Sequence, residues 1–173
     1  MFTIPKPTCL RSILFIAFFI IGTLFTVKAQ SYPKVTGYFA VLNPIGHWNK
    51  HGFTDNFSGV YTIGFPFGMN ILKSESFGIS FEVVPSIRSE HGISKVNSVL
   101  FHPGAMFRFK YGFTFIGRAA FETSGRFGLT PVFNQVIIKG KHTNMYVALP
   151  FPIRFGNDQP VSIGTGIQLG IGF

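Results

Sequence analysis

Acidic residues are scarce in this chain. Six Asp and Glu stand against fifteen Lys and Arg in 173 residues, and charged residues of both signs make up only 12%, about half the share usual in a soluble domain. A water-facing surface coated in charge is therefore hard to build from it. Cysteine occurs once, as Cys9, which excludes an internal disulfide framework. Tryptophan also occurs once, as Trp48, although aromatic residues reach 17% and 23 of them are Phe. Walker-type and Rossmann-type glycine patterns are missing, as is any His-x-Ser pair. His47 and His51 are four residues apart, but Gly46 and Gly52 beside them argue for a loop rather than one helix face, and His91 and His142 also fall in connections. No catalytic, cofactor-binding or metal-ligating constellation is expected, and the chain is read as a non-enzyme without a cofactor.

What is abundant is apolar bulk. Part of it is N-terminal: Lys6 and Arg11 precede the apolar run of residues 13–27, and "VKA" follows with small residues at the minus-three and minus-one positions. A basic stretch, an apolar stretch and a small-residue cleavage site make a signal peptide over residues 1–29. The alternative is an uncleaved anchor, for which the run is short of the roughly 20 residues a helix needs to span. Cleavage after Ala29 would take Cys9 away and leave one exported domain, residues 30–173. Its surplus of basic residues is scattered rather than clustered, which suits acidic lipid headgroups better than nucleic acid.

The rest of the chain alternates. Eight stretches place bulky and small residues in turn: residues 34–42, 57–72, 77–88, 99–110, 113–124, 131–139, 145–155 and 161–173. In "FGISFEVVPSIR" the bulky set is Phe77, Ile79, Phe81, Val83, Pro85 and Ile87, with Gly78, Ser80, Glu82, Val84, Ser86 and Arg88 between them. This two-residue period belongs to strands, and no helical stripe competes with it. The sixth stretch is less clean, since Ile137 and Ile138 put apolar residues on both faces. Connections alternate too, with long polar loops at residues 43–56 and 89–98 and tight turns at "KSES" and around Tyr111 and Gly112.

Two arrangements satisfy the alternation, a soluble barrel or sandwich with the bulky face inward and a membrane barrel with it outward. Composition of the second face favours the latter. It is mostly Gly, Ser, Ala and Thr with isolated charges, whereas water-facing strands carry Lys, Glu, Thr and Gln. Small residues fit the crowded lumen of a narrow barrel. The expectation is an all-β fold, a closed eight-stranded antiparallel up-and-down transmembrane β-barrel preceded by a signal peptide.

On these features the chain resembles the small outer-membrane β-barrels, the OmpA-like and OmpX-like group with eight strands. The likeness rests on the signal peptide, the strand pattern and the terminal Phe173, not on a sequence-specific motif. The likeness implies an assembly role only: Ile167, Leu169, Ile171 and Phe173 form a last-strand signal read by the barrel-assembly machinery. The reading adopted is a monomer in the cell outer membrane, in contact with outer-membrane lipid and lipopolysaccharide, with a non-enzymatic role in membrane integrity, surface interaction or adhesion. Two other readings stay open: a lipid-modifying barrel enzyme of lipid A deacylase or acyltransferase type, and a soluble exported β-barrel that binds an apolar ligand.

Charges on the small face must pair or stay hydrated, because an isolated buried ion is costly. Glu82, Glu122, Arg88, His102, Arg108, Arg118 and Arg154 are therefore expected in the lumen, with each glutamate held by one or more of Arg108, Arg118 and Arg154 as structural ion pairs. For outside contact the best candidates are His47, Trp48, Lys50 and Phe53 in the first long connection, an aromatic anchor with polar neighbours. Trp48 could equally tuck against the barrel rim.

Overall fold

The computed structural model describes residues 31–173, so the expected signal peptide lies outside the described residues. The described chain forms eleven strands in one antiparallel sheet: β1 (Lys34–Asn49), β2 (Gly52–Asp55), β3 (Val60–Gly64), β4 (Phe67–Leu72), β5 (Phe77–Glu90), β6 (Ile93–Arg108), β7 (Phe113–Glu122), β8 (Phe127–Lys139), β9 (Asn144–Pro150), β10 (Ile153–Phe155) and β11 (Ser162–Gly172). β3 with β4, and β9 with β10, each make one stave interrupted by a proline. β2 extends β1 as a short hairpin. The remaining strands complete an eight-staved ring, closed where β1 pairs with β11 from Tyr38↔Gly172 to Trp48↔Ile163. No sheet edge is left unpaired around the ring, which is the condition for a strand structure to sit in lipid.

The prolines interrupt the ladder without opening it. Pro66 lacks an N–H, but its carbonyl accepts from Ala40 N at 2.8 Å and the neighbouring Phe65 N donates to Pro85 O at 2.9 Å. Around Pro152 the same repair is made by Phe151 N to Pro131 O at 2.9 Å and Gly164 N to Pro152 O at 2.8 Å. The seam between first and last staves is sealed by reciprocal bonds between Gly37 and Phe173, at 2.8 and 2.9 Å. A Cβ on Gly37 would come within 2.5 Å of the Phe173 ring, so the glycine lets the aromatic side chain lie across the seam.

The period of two resolves into inside and outside. Inward side chains include Tyr38, Ala40, Leu72, Val84, Met106, Ile116, Val132 and Tyr146, all buried. Outward ones include Phe39, Phe67, Phe81, Phe101, Phe121, Leu149, Leu169 and Ile171, all exposed. Five of the outward rings make a continuous row, Phe77–Phe107–Phe115–Phe133–Phe151, with centroids 5.5–6.4 Å apart. Glycines on the inner face make room for lumen rings: Gly170 lies beneath Tyr146 so closely that no Cβ would fit.

Besides the sixth stretch, which begins at Phe127 as β8 rather than at residue 131, three stretches differ from the sequence expectation. Residues 43–56, expected as a polar loop, are the end of β1 and the β2 hairpin, held by Gly46↔Asp55 to Asn49↔Gly52. Residues 89–98, also expected as a loop, are mostly strand with a tight turn at His91 and Gly92, whose φ values are 49° and 78°. Both hairpins stand at the far rim of the barrel, beyond the zone where one face is apolar, so their pairing leaves no alternation to read. The third is the Ile137–Ile138 anomaly, which is a bulge: the register against β9 shifts between Val136 and Ile138, and both isoleucines are exposed.

Candidate functional site

The charged groups of the inner face meet in the middle of the lumen. Glu82 on β5 lies opposite His102 on β6 in the ladder and receives three donors. Arg118 Nη1 donates to its Oε1 at 3.1 Å, His102 Nδ1 to the same oxygen at 3.0 Å, and Tyr38 OH to Oε2 at 2.9 Å. Arg118 Nη2 also donates to Tyr38 OH at 3.0 Å and Ser80 Oγ at 3.1 Å. The glutamate is 4% exposed and Arg118 also 4%, so this ion pair is buried.

Imidazole geometry extends the network across the barrel. A carboxylate only accepts, so the His102 proton belongs on Nδ1 and Nε2 is an acceptor. Thr130 Oγ1 at 3.1 Å and Arg154 Nη2 at 3.3 Å both donate to Nε2, while Arg154 Nη1 donates to Thr130 Oγ1 at 2.9 Å. Arg154 Nε then donates to Glu122 Oε1 at 2.6 Å, and Ser124 Oγ to Glu122 Oε2 at 3.0 Å. One chain of contacts thus runs from Ser80 to Ser124 through two carboxylates and two guanidiniums. With a neutral imidazole its charges cancel.

On the far-rim side of Glu82 and Arg118, level with Glu122, lies a small apolar cluster, Val84, Leu100 and Ala120, with Leu42 packed against it. On the other side, toward the rim that carries Lys34 and Phe173, lies a cavity of about 750 Å³. Its lining includes Tyr38 and Arg118 from the network, then Leu72, Met106, Ile116 and Val132, and Arg108 toward the rim. The lumen is blocked in the middle and hollow at one end.

Of the residues expected in the lumen, Glu82, His102, Glu122, Arg118 and Arg154 come together. Arg88 does not: it pairs with Glu90 at 3.0 Å at the far rim, both partly exposed. Arg108 does not either; it lies at the near-rim mouth of the cavity, exposed, with no ion pair among the described residues. Both are near strand ends, where the inward face opens to water and a charge needs no partner. Sequence reasoning missed Tyr38, Ser80 and Thr130 as members. The register pairing of His102 with Glu82 is the signal that would have placed the histidine beside the carboxylate.

Thr130, His102 and Glu82 are connected in the order hydroxyl, imidazole, carboxylate that a nucleophilic relay requires. A nucleophile also needs an open side for its substrate. Thr130 is 2% exposed, its hydroxyl is engaged with both His102 and Arg154, and neither it nor His102 lines the cavity. Through these bonds Thr130 ties β8 to His102 on β6 and to Arg154 on β10. Among the described residues no group of three or more metal-ligating side chains converges.

Outside, the hairpin residues are disposed as a small aromatic knob. Trp48 and Phe53 pack with centroids 4.5 Å apart, and Trp48 is 52% exposed. Lys50 and His51 occupy the turn beside them, exposed, while His47 is half-buried on β1. Ile167, Leu169, Ile171 and Phe173 form an outward-facing apolar row along β11, all exposed.

This is a closed, antiparallel, eight-staved all-β barrel with apolar residues outside and charge within. No protein-family model matches the chain, and no curated protein matches it either. Among solved structures it is similar to the solution NMR structure of the de novo designed TMB2.3, at 13% identity and a TM-score of 0.47, over 83% of this chain and 96% of that chain.

Proposed function

We propose that the protein is an outer-membrane β-barrel without enzymatic activity, contributing to membrane integrity and making surface contacts through its far-rim hairpins. The observation that carries the reading is inverted polarity. Phe, Leu and Ile crowd the outside of the ring, while the Glu82–Arg118 and Arg154–Glu122 pairs are inside. In water this would expose a continuous apolar belt far larger than the few hundred Å² a soluble monomer tolerates. In lipid the same belt is the solvated surface.

The network and the apolar cluster in the lumen support a stable wall component rather than a conduit. The exposed Trp48–Phe53 knob supports a contact role. As in the family it resembles, the row ending in Phe173 would be the segment offered to the assembly machinery.

Fractionation tests the first claim. The protein should sediment with outer membranes, resist extraction by salt, and shift in gel mobility only after boiling; release by mild salt alone would sink it. For the absence of enzymatic activity, lipid A mass spectra from cells with and without the protein should be identical, and a changed acyl count would overturn that part. Because Trp48 is the sole tryptophan, its fluorescence reports the knob directly. Acrylamide should quench it efficiently in reconstituted vesicles, whereas strong quenching by lipids brominated on the acyl chains would place Trp48 in the membrane and remove the contact role.

A further inference from the structure

The near-rim cavity has a graded wall. On β6 the inward residue deeper in the barrel is Met106 and the next toward the mouth is Arg108; on β7 the order is Ile116 then Thr114, on β8 Val132 then Asn134, and on β9 Tyr146 then Asn144. β6, β7 and β9 therefore run from apolar to polar toward the opening, while β8 turns apolar again at Val136. β4 reverses the order, with Asn70 deeper than Leu72. At the mouth stand the cationic side chains of Arg108 and Lys139, with His142 beside them, and among the described residues no acidic side chain lines it; Glu75, on the near-rim turn between β4 and β5, is outside the lining.

At about 750 Å³ the space is of the size that small-molecule sites occupy, about 300–1,000 Å³. Its inner end is closed by Tyr38 and Arg118, whose charge Glu82 already matches. A pocket with one mouth, apolar depth and a cationic collar selects for a molecule with the opposite layout. We infer that the cavity binds a single-chain amphiphile with an anionic head, of the long-chain carboxylate class. The chain lies among Met106, Ile116, Val132 and Tyr146, and the carboxylate meets Arg108 and Lys139 at the rim. Burying the chain supplies the affinity, and the collar fixes the orientation and excludes neutral or cationic heads.

The site lies within the lumen and goes beyond a structural and contact role. It uses the membrane reading only in the choice of medium. The test uses the full folded chain in nanodiscs of neutral phosphatidylcholine, with a palmitate analogue bearing a diazirine at its methyl end as probe. After irradiation, peptide mapping should find the label on Met106, Ile116, Val132 or Tyr146. Label confined to the outward neighbours Phe107, Phe133 and Met145 would mean simple partition into lipid and would overturn the inference.

Reversing the collar with Arg108→Glu and Lys139→Glu should lower lumen labelling about tenfold and leave outward labelling unchanged. Both residues are exposed at the rim. Should that double variant fail the boiling-shift test of folding, Arg108→Ala alone should lower lumen labelling by a smaller factor. Unchanged lumen labelling in the folded variant would refute the role of the collar. The corresponding fatty alcohol should label the lumen far less than the acid, and equal labelling would refute recognition of an anionic head. Failure to insert into nanodiscs would tell against the membrane reading, whereas insertion with outward labelling alone would tell against the site.

Discussion

The middle of the lumen and its near-rim half are built from the same staves and serve opposite ends. In the middle, Glu82 is held by Tyr38, His102 and Arg118, and Glu122 by Arg154 and Ser124. Two residues further along β7 and β8, and four along β6, the side chains become Ile116, Val132 and Met106, which pack with Tyr38, Leu72 and Tyr146 at the inner end of the cavity. The difference teaches what fills a narrow barrel. Long guanidinium side chains reach across the lumen and find carboxylates, while Val, Ile and Met pack against one another and leave a hollow toward the rim. Charge here works as a spacer as much as an interaction, provided every buried ion is matched.

That contrast can be broken first at its most buried ion. Glu82→Gln removes the charge that Arg118 faces in a buried site and leaves the guanidinium uncompensated. Breaking a buried pair in this way costs about 3–5 kcal/mol. Glu122→Gln should cost less, about 1–2 kcal/mol, because Glu122 is more exposed than Glu82. Urea unfolding of each variant in detergent micelles checks the order. Equal losses would mean that the network is no more tightly coupled at its centre than at its edge.

The apolar parts of the two regions give the next effect. Leu100→Ala opens a hole in the packed cluster beside the network, where little can relax, and should cost about 3 kcal/mol. Met106→Ala only enlarges a space that already exists. Met106 is itself buried, so the change should still cost about 2 kcal/mol, the low end for a buried Met→Ala substitution. If both variants shift the unfolding midpoint equally, the near-rim half is as tightly packed in solution as the middle.

How much of this was legible in the sequence depends on what the period of two can report. It separates inside from outside, so the staves, the outward Phe row and the lumen positions of Glu82, Arg118, Glu122 and Arg154 could be read from it. It is silent on height along the axis. Arg88 and Arg108 have the correct parity for the lumen, yet they sit at the two rims, where one pairs locally with Glu90 and the other stands over the cavity. Parity also fails where both faces are wet, which is why the hairpin carrying His47, Trp48, Lys50 and Phe53 looked like a loop. The cavity was invisible because it is a deficit of volume summed over many strands, and no single stretch records it.

The smallest expected effect comes from a carboxylate with as many donors as Glu82 but with water around it. Asp55 Oδ1 accepts from Phe57 N and Ser58 N at 2.7 Å each, and Oδ2 from Ser58 Oγ at 2.8 Å. These bonds, led by the Phe57 N–H, hold the Asp55 carboxyl below its ordinary pKa. A depressed folded-state pKa means that the contribution is complete above the unfolded value and is lost as pH falls through the folded one. The Phe57 and Ser58 amides should therefore exchange slowly at neutral pH and faster, relative to intrinsic rates, below about pH 4. Asp55→Asn should remove most of that pH dependence and leave the urea midpoint of the barrel almost unmoved. Placed beside the large loss expected for Glu82→Gln, a near-zero effect would assign the difference to burial rather than to the number of hydrogen bonds. A comparable loss at Asp55 would instead make the far-rim turn part of the barrel's cooperative unit.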